Sequence, residues 1–259
     1  MREPVRNRLI VALDVETADG ALDLVDALRD SVGMFKVGMQ LFTAAGPDLV
    51  RQIVARGGRV FLDLKYHDIP NTVAMAGIEA ARLGVFMFNI HVAGGREMMT
   101  RTAEAVANTA ARENLTAPKV LGVTLLTSVD QETLGQIGIS DSPTAVVSRF
   151  ARLAKTCGLD GVVASAQEIK VIRGAVPQED FLIVTPGIRS SSDAADDQRR
   201  MMTAAEAVCN GANYIVVGRP ILRASNRAQA AGQIVAEIEA AVATHSSGHS
   251  VGTNRAAQR

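Results

Sequence analysis

Val60-Phe61-Leu62-Asp63-Leu64-Lys65-Tyr66-His67-Asp68-Ile69-Pro70-Asn71-Thr72 sets charges into an otherwise apolar run. Residues 60–64 read as a short buried strand, yet Asp63 lies inside it and Lys65 follows directly. Side chains of a strand alternate between its faces, so Asp63 and Lys65 project to one side while Leu62 and Leu64 project to the other. Burying opposite charges in a strand is costly unless they pair, and such placements concentrate where chemistry is done. Asp68, Pro70 and Asn71-Thr72 then mark a turn and the cap of a following helix. The stretch predicts one βα unit with a charged cluster at the C-terminal end of its strand.

Outward from this unit the same alternation repeats. Strand-like runs fall at 9–13, 34–37, 60–64, 86–91, 119–124, 161–164, 181–185 and 214–217, with helical patterns at 21–31, 46–56, 72–83, 96–112, 144–156 and 224–242 between them. Gly57, Gly84 and Gly158 each follow a helical pattern, where a C-terminal cap prefers glycine. Eight βα units in 259 residues predict an α/β fold, a (β/α)8 TIM barrel forming one domain over 1–244. A doubly wound sheet is the rival, but it does not require eight evenly spaced units, and no GxGxxG follows the first strand. Residues 245–259, rich in Ser, Gly, Asn and Gln without periodicity, read as a disordered tail.

Composition narrows the partners. Lys+Arg and Asp+Glu balance at 27 each, so no basic surface points to nucleic acid or an acidic membrane. Aromatics are 3% and Trp is absent, which argues against a stacking platform for single strands. Cys157 and Cys209 are isolated, with no metal-ligand spacing, and read as small hydrophobes. The N-terminus lacks an apolar signal core and no run reaches membrane-spanning length, so a cytoplasmic protein is expected.

In a barrel of this kind the active site lies at the C-terminal ends of the strands. Asp14 ends the first, Lys36 lies in the second, Asp63 and Lys65 end the third, and Asp68 follows in the loop. Any one of these is readily a rim ion pair; four on three adjacent strands point to a site. After the seventh and eighth strands come Thr185-Pro186-Gly187-Ile188-Arg189 and Val217-Gly218-Arg219-Pro220, where such barrels recurrently bind phosphate. Glycine permits close backbone approach, and arginine is a permanently charged two-pronged donor. The polar segment 190–200 between them is either a lid or a solvated loop. Thr127-Ser128 either hydrogen-bond a ligand or cap a helix starting near Val129, and His91 is expected to be a satisfied rim residue.

These residues resemble orotidine 5′-phosphate decarboxylases from residue 9 to about 222. Ala12-Leu13-Asp14, Phe35-Lys36-Val37-Gly38, the string from Asp63 to Thr72, and the Gly187-Ile188-Arg189 and Gly218-Arg219 segments carry the resemblance. It implies a homodimeric barrel converting orotidine 5′-monophosphate to UMP without metal or organic cofactor. It implies Lys65, Asp63, Asp68 and Lys36 as catalytic residues. Asp14, Lys36, Asp63, Asp68, Ile69, Thr72, Thr127, Arg189, Gln198, Gly218 and Arg219 are implied to bind substrate, with Asp68 and Thr72 reaching into the neighbouring subunit's site and Gln198 matching a lid residue. Carboxylates beside Lys65 favour its ammonium form, which suits a proton donor and counts against a Schiff base. Two readings remain as alternatives: a magnesium-dependent sugar-phosphate decarboxylase or aldolase, which shares Asp-x-Lys-x-x-Asp but needs carboxylates where Lys36 stands, and a non-catalytic phosphosugar-binding barrel.

Overall fold

The computed structural model describes residues 4–188 and 202–249. Eight parallel strands close on themselves in chain order: β1 (Leu9–Ala12), β2 (Met34–Gly38), β3 (Val60–Tyr66), β4 (Met87–His91), β5 (Lys119–Val123), β6 (Gly161–Val163), β7 (Leu182–Thr185) and β8 (Tyr214–Val217). Between and after them run α1 (Ala18–Leu28), α2 (Met39–Ala55), α3 (Pro70–Arg82), α4 (Gly95–Glu113), α5 (Gln131–Gln136), α6 (Pro143–Thr156), α7 (Ile169–Ala175), α8 (Ala204–Cys209), α9 (Arg219–Leu222) and α10 (Arg227–His249). The ring closes where β1 pairs with β8, Leu9 opposite Ile215 and Val11 opposite Val217. This is the (β/α)8 barrel expected from the sequence.

Parity along each strand divides the core. Leu9, Val11, Phe35, Leu62 and Phe88 face outward into the layer shared with the helices. Ile10, Met34, Phe61, Met87, Leu121 and Tyr214 face inward and fill the barrel. Continuing the inward parity by two residues leads from Met34 to Lys36, from Phe61 to Asp63 and from Met87 to Asn89. The barrel is thus apolar at its N-terminal end and polar at its C-terminal mouth.

Element ends follow local chemistry. Thr17 caps α1 by accepting from the Gly20 N–H at 3.2 Å, and Gly57, Gly84 and Gly158 take positive φ just beyond α2, α3 and α6, where a side chain would be strained. The helical pattern at 46–56 is only the second half of α2, which starts at Met39 and bends at Gly46-Pro47. Pro removes an internal hydrogen bond there, so the apolar pattern resets. α10 continues to His249, past the domain boundary at 244 drawn from composition; a helix packed against a barrel can extend by a turn without apolar residues. The remainder of the expected tail, 250–259, lies outside the described residues.

Candidate active site

The mouth of the barrel assembles a row of alternating charge. The Lys36 ammonium, on the inward face of β2, lies 3.4 Å from Asp14 Oδ1 and 3.5 Å from Asp63 Oδ2. Lys65 Nζ donates to Asp63 Oδ1 at 2.7 Å. Asp14 lies beyond the end of β1 with its side chain 62% exposed, whereas those of Lys36 and Asp63 are 14% and 12% exposed. Asp14 thus stands at the open rim, Lys36 and Asp63 are the walled pair and Lys65 is again partly open, and each cation has a carboxylate partner as burial requires.

Alternation alone would put Lys65 on the face of Asp63, but β3 is not regular between Leu62 and Tyr66. Leu62 pairs with Phe88 but Tyr66 pairs with Ile90, so β3 carries extra residues over the same rise and bulges. Within the bulge Lys65 takes φ +52°, a left-handed conformation costing a non-glycine residue on the order of 1–2 kcal/mol. The strand also extends to Tyr66, beyond the end at 64 expected from hydropathy. Asn89 spans the distortion: its Oδ1 accepts from the Lys65 backbone N–H at 2.8 Å, and its Nδ2 donates to Asp63 Oδ1 at 2.7 Å. Asn89 is fully buried. Sequence reasoning missed it, although a polar residue at the inward parity of Met87-Phe88-Asn89-Ile90-His91 was a usable signal.

Two cavities adjoin the row. One of about 630 Å³ is lined by Asp14, Lys36, Gly187, Gly218, Arg219 and Arg223, among others. One of about 220 Å³ is lined by Asp14, Lys36, Gly38, Asp63 and Lys65, among others. Gly187 adopts φ +77°, which favours glycine at this turn. Arg223, one turn after Arg219, also went unnoticed in the sequence; the spacing of four was its signal.

Other expected residues stand elsewhere. Asp68, Ile69 and Thr72 are exposed and line neither cavity. Asp68 Oδ1 accepts from the Ile69 N–H at 2.6 Å, and α3 begins at Pro70 without a side-chain cap, so neither Asp68 nor Asn71-Thr72 caps it. Thr127 is exposed and does not cap α5; Asp130 does, accepting from the Thr133 N–H at 2.9 Å. Arg189, Gln198 and the segment 190–200 lie outside the described residues. The His91 ring stacks obliquely on His67, with centroids 5.2 Å apart. Burial, then His67 and the Lys65 ammonium, hold its imidazole below the usual histidine range. Among the described residues no helix is long and apolar enough to cross a membrane.

Comparison with known proteins agrees with this geometry. The family model described as "Orotidine 5'-phosphate decarboxylase / HUMPS family" matches residues 7–234. An orotidine 5'-phosphate decarboxylase of Geotalea daltonii is 54% identical over 239 residues, covering 92% of this chain and 99% of the relative. That of Moorella thermoacetica is 51% identical over 240 residues, covering 92% of this chain and 95% of the relative. Among solved structures, orotidine 5'-phosphate decarboxylase from Lactobacillus acidophilus superposes with a TM-score of 0.79 at 34% identity, over 92% of this chain and 99% of that one. An eight-stranded barrel with lysines and carboxylates alternating across its mouth, matched by this family over nearly its whole length, belongs to the orotidine 5'-phosphate decarboxylase / HUMPS family.

Proposed function

We propose that this chain decarboxylates orotidine 5′-monophosphate to UMP in de novo pyrimidine synthesis, without metal or organic cofactor. The observation that carries the reading is the row Asp14, Lys36, Asp63, Lys65 beside a cavity that Arg219 also lines. Relatives at 51–54% identity that bear the decarboxylase name support it.

Losing CO2 from C6 of the pyrimidine leaves an electron pair in the ring plane, where the π system cannot delocalise it. Without an electron sink, stabilisation must come from a fixed positive charge and prompt protonation. Lys65 supplies both: its ammonium faces the developing carbanion and delivers its proton to C6. Asp63 holds that ammonium by its Oδ1 and disfavours a substrate carboxylate placed beside it. Lys36 and Asp14 hold the ribose hydroxyls. Arg219, with the Gly187 and Gly218 turns, grips the phosphate; Arg189 and Gln198 join it in this reading. Asp68, Ile69 and Thr72, exposed within one chain, complete the site of a second subunit in a homodimer, and Thr127 contacts the pyrimidine. The protein works in the cytoplasm.

Incubation with orotidine 5′-monophosphate in EDTA, following the loss of its absorbance, tests the reading. Full turnover under chelation is expected, because Lys36 stands where a magnesium-dependent relative needs a carboxylate. Activity lost in EDTA and restored by Mg2+ moves the assignment to the sugar-phosphate branch, and binding without turnover moves it to a phosphosugar-binding barrel.

A further inference from the structure

We infer that Asn89 is the positioning residue that sets both the backbone and the charge geometry of Lys65, an inference that rests on the decarboxylase reading for its kinetic consequences. Three observations converge on this one side chain. It is fully buried on the inward face of β4 and lines neither cavity, so it holds the row from behind. It accepts from the backbone N–H of Lys65, the residue that stands at φ +52°. It donates to Asp63 Oδ1, the same oxygen that receives the Lys65 ammonium.

The chemistry of the amide makes the role specific. One carboxamide carries an acceptor and two donors, so a single planar group can meet an N–H and a carboxylate together. Its orientation is dictated by those partners: the backbone N–H requires the amide oxygen, and Asp63 requires the amide nitrogen. Asp63 Oδ1 is thereby held between Asn89 and Lys65, with Oδ2 turned to Lys36 at 3.5 Å. The carboxylate cannot rotate without breaking one of these contacts. Asn89 also keeps Lys65 in a backbone conformation that its own side chain disfavours, and this aims the ammonium back at Asp63. A proton donor preorganised in this way needs no rearrangement as charge develops.

Two variants test the assignment. Asn89→Ala removes both bonds. Asn89→Asp keeps the shape and the acceptor for the Lys65 N–H but loses the donor to Asp63 at neutral pH. Each is checked for folding by thermal melting and circular dichroism, then assayed for kcat, KM and UMP binding, with crystal structures of the variants. The expectation is a fall in kcat of on the order of tenfold to a hundredfold, with KM and UMP affinity within about threefold because Asn89 touches no ligand space. For Asn89→Asp, kcat should recover as pH falls, because two carboxyl groups in contact share a proton and the introduced acid then donates as the amide did. A purely structural role would move neither the pH profile nor kcat apart from KM.

Wild-type kcat in a folded variant, a kcat fall matched by KM, or failure of both variants to fold overturns the inference. Absence of decarboxylation by the wild type is a different result. It would reject the proposed reaction, and the positioning of Lys65 would then be decided by whether its φ and its contact with Asp63 survive in the Asn89→Ala crystal structure. Survival of both overturns the inference.

Discussion

Lys65 combines two properties that substitution can separate: an ammonium 2.7 Å from Asp63 and a left-handed backbone. Lys65→Ala and Lys65→Gly both delete the amine, and both should lower kcat by on the order of 10²–10⁴-fold or more, a range typical of a lost proton donor. Their stabilities should differ, because only glycine takes φ +52° without steric cost. The glycine variant should be the more stable by about 1 kcal/mol, or ~2–4 °C in melting temperature for a chain this size. Equal melting points would mean the conformation carries no strain; a folded, fully active Lys65→Ala enzyme would end its assignment as proton donor. At the other end of the site, Arg219→Ala should weaken UMP binding by about 1.5–3 kcal/mol, roughly ten- to a hundredfold, while leaving uridine binding nearly unchanged. A uniform loss for both ligands would remove the phosphate from the assignment. The charged residues of the row are legible in the sequence because a Lys or Asp inside an apolar run is conspicuous. Asn89 is less so: asparagine carries no charge, and its importance comes from a bulge that hydropathy does not register.

Among elements, strands were easier to read than helices. All eight strand runs overlap observed strands, because a barrel strand buried on both faces must be apolar for its few residues. The short helices α5, α7, α8 and α9 span 4–7 residues, too few to establish a periodicity; α5 and α8 are marked instead by their side-chain caps, Asp130 and Thr203. Ser165 and Glu168, in the turn after β6, form such a cap: the Glu168 side chain accepts from the Ser165 N–H at 3.0 Å. Burial pushes that carboxyl from 4.5 up to about 7, the backbone hydrogen bond opposing it. Between those values the folded protein holds a proton that the unfolded chain has released, so this group lowers stability as pH rises through the window. Glu168→Gln keeps an acceptor for Ser165 and removes the titration. Urea melts across that range should show the variant gaining on the wild type as pH rises; a constant difference would mean the carboxyl titrates normally.

At the scale of the whole molecule, the proposed site is larger than one chain. Asp68, Ile69 and Thr72 stand exposed at the start of α3, away from the cavities of their own subunit. If they complete a neighbour's site, mixing Lys65→Ala with Asp68→Ala subunits under exchange should restore activity to at most about one site in two of each hybrid, since one hybrid site carries neither lesion. Exchanged dimers that stay dead would confine the site to a single chain. This level is the least legible in sequence, because exposed residues bear no periodic mark of what covers them. The seam between β1 and β8 has a consequence for synthesis. Asp14 and Arg219 line one cavity although nearly the whole chain separates them. A ribosome therefore releases the lysines and carboxylates early and the proposed phosphate wall late. Nascent chains stalled before residue 214 should fail to retain UMP on a filter while released full-length chains retain it, so the emerging polypeptide stays catalytically silent until its final strand is threaded home.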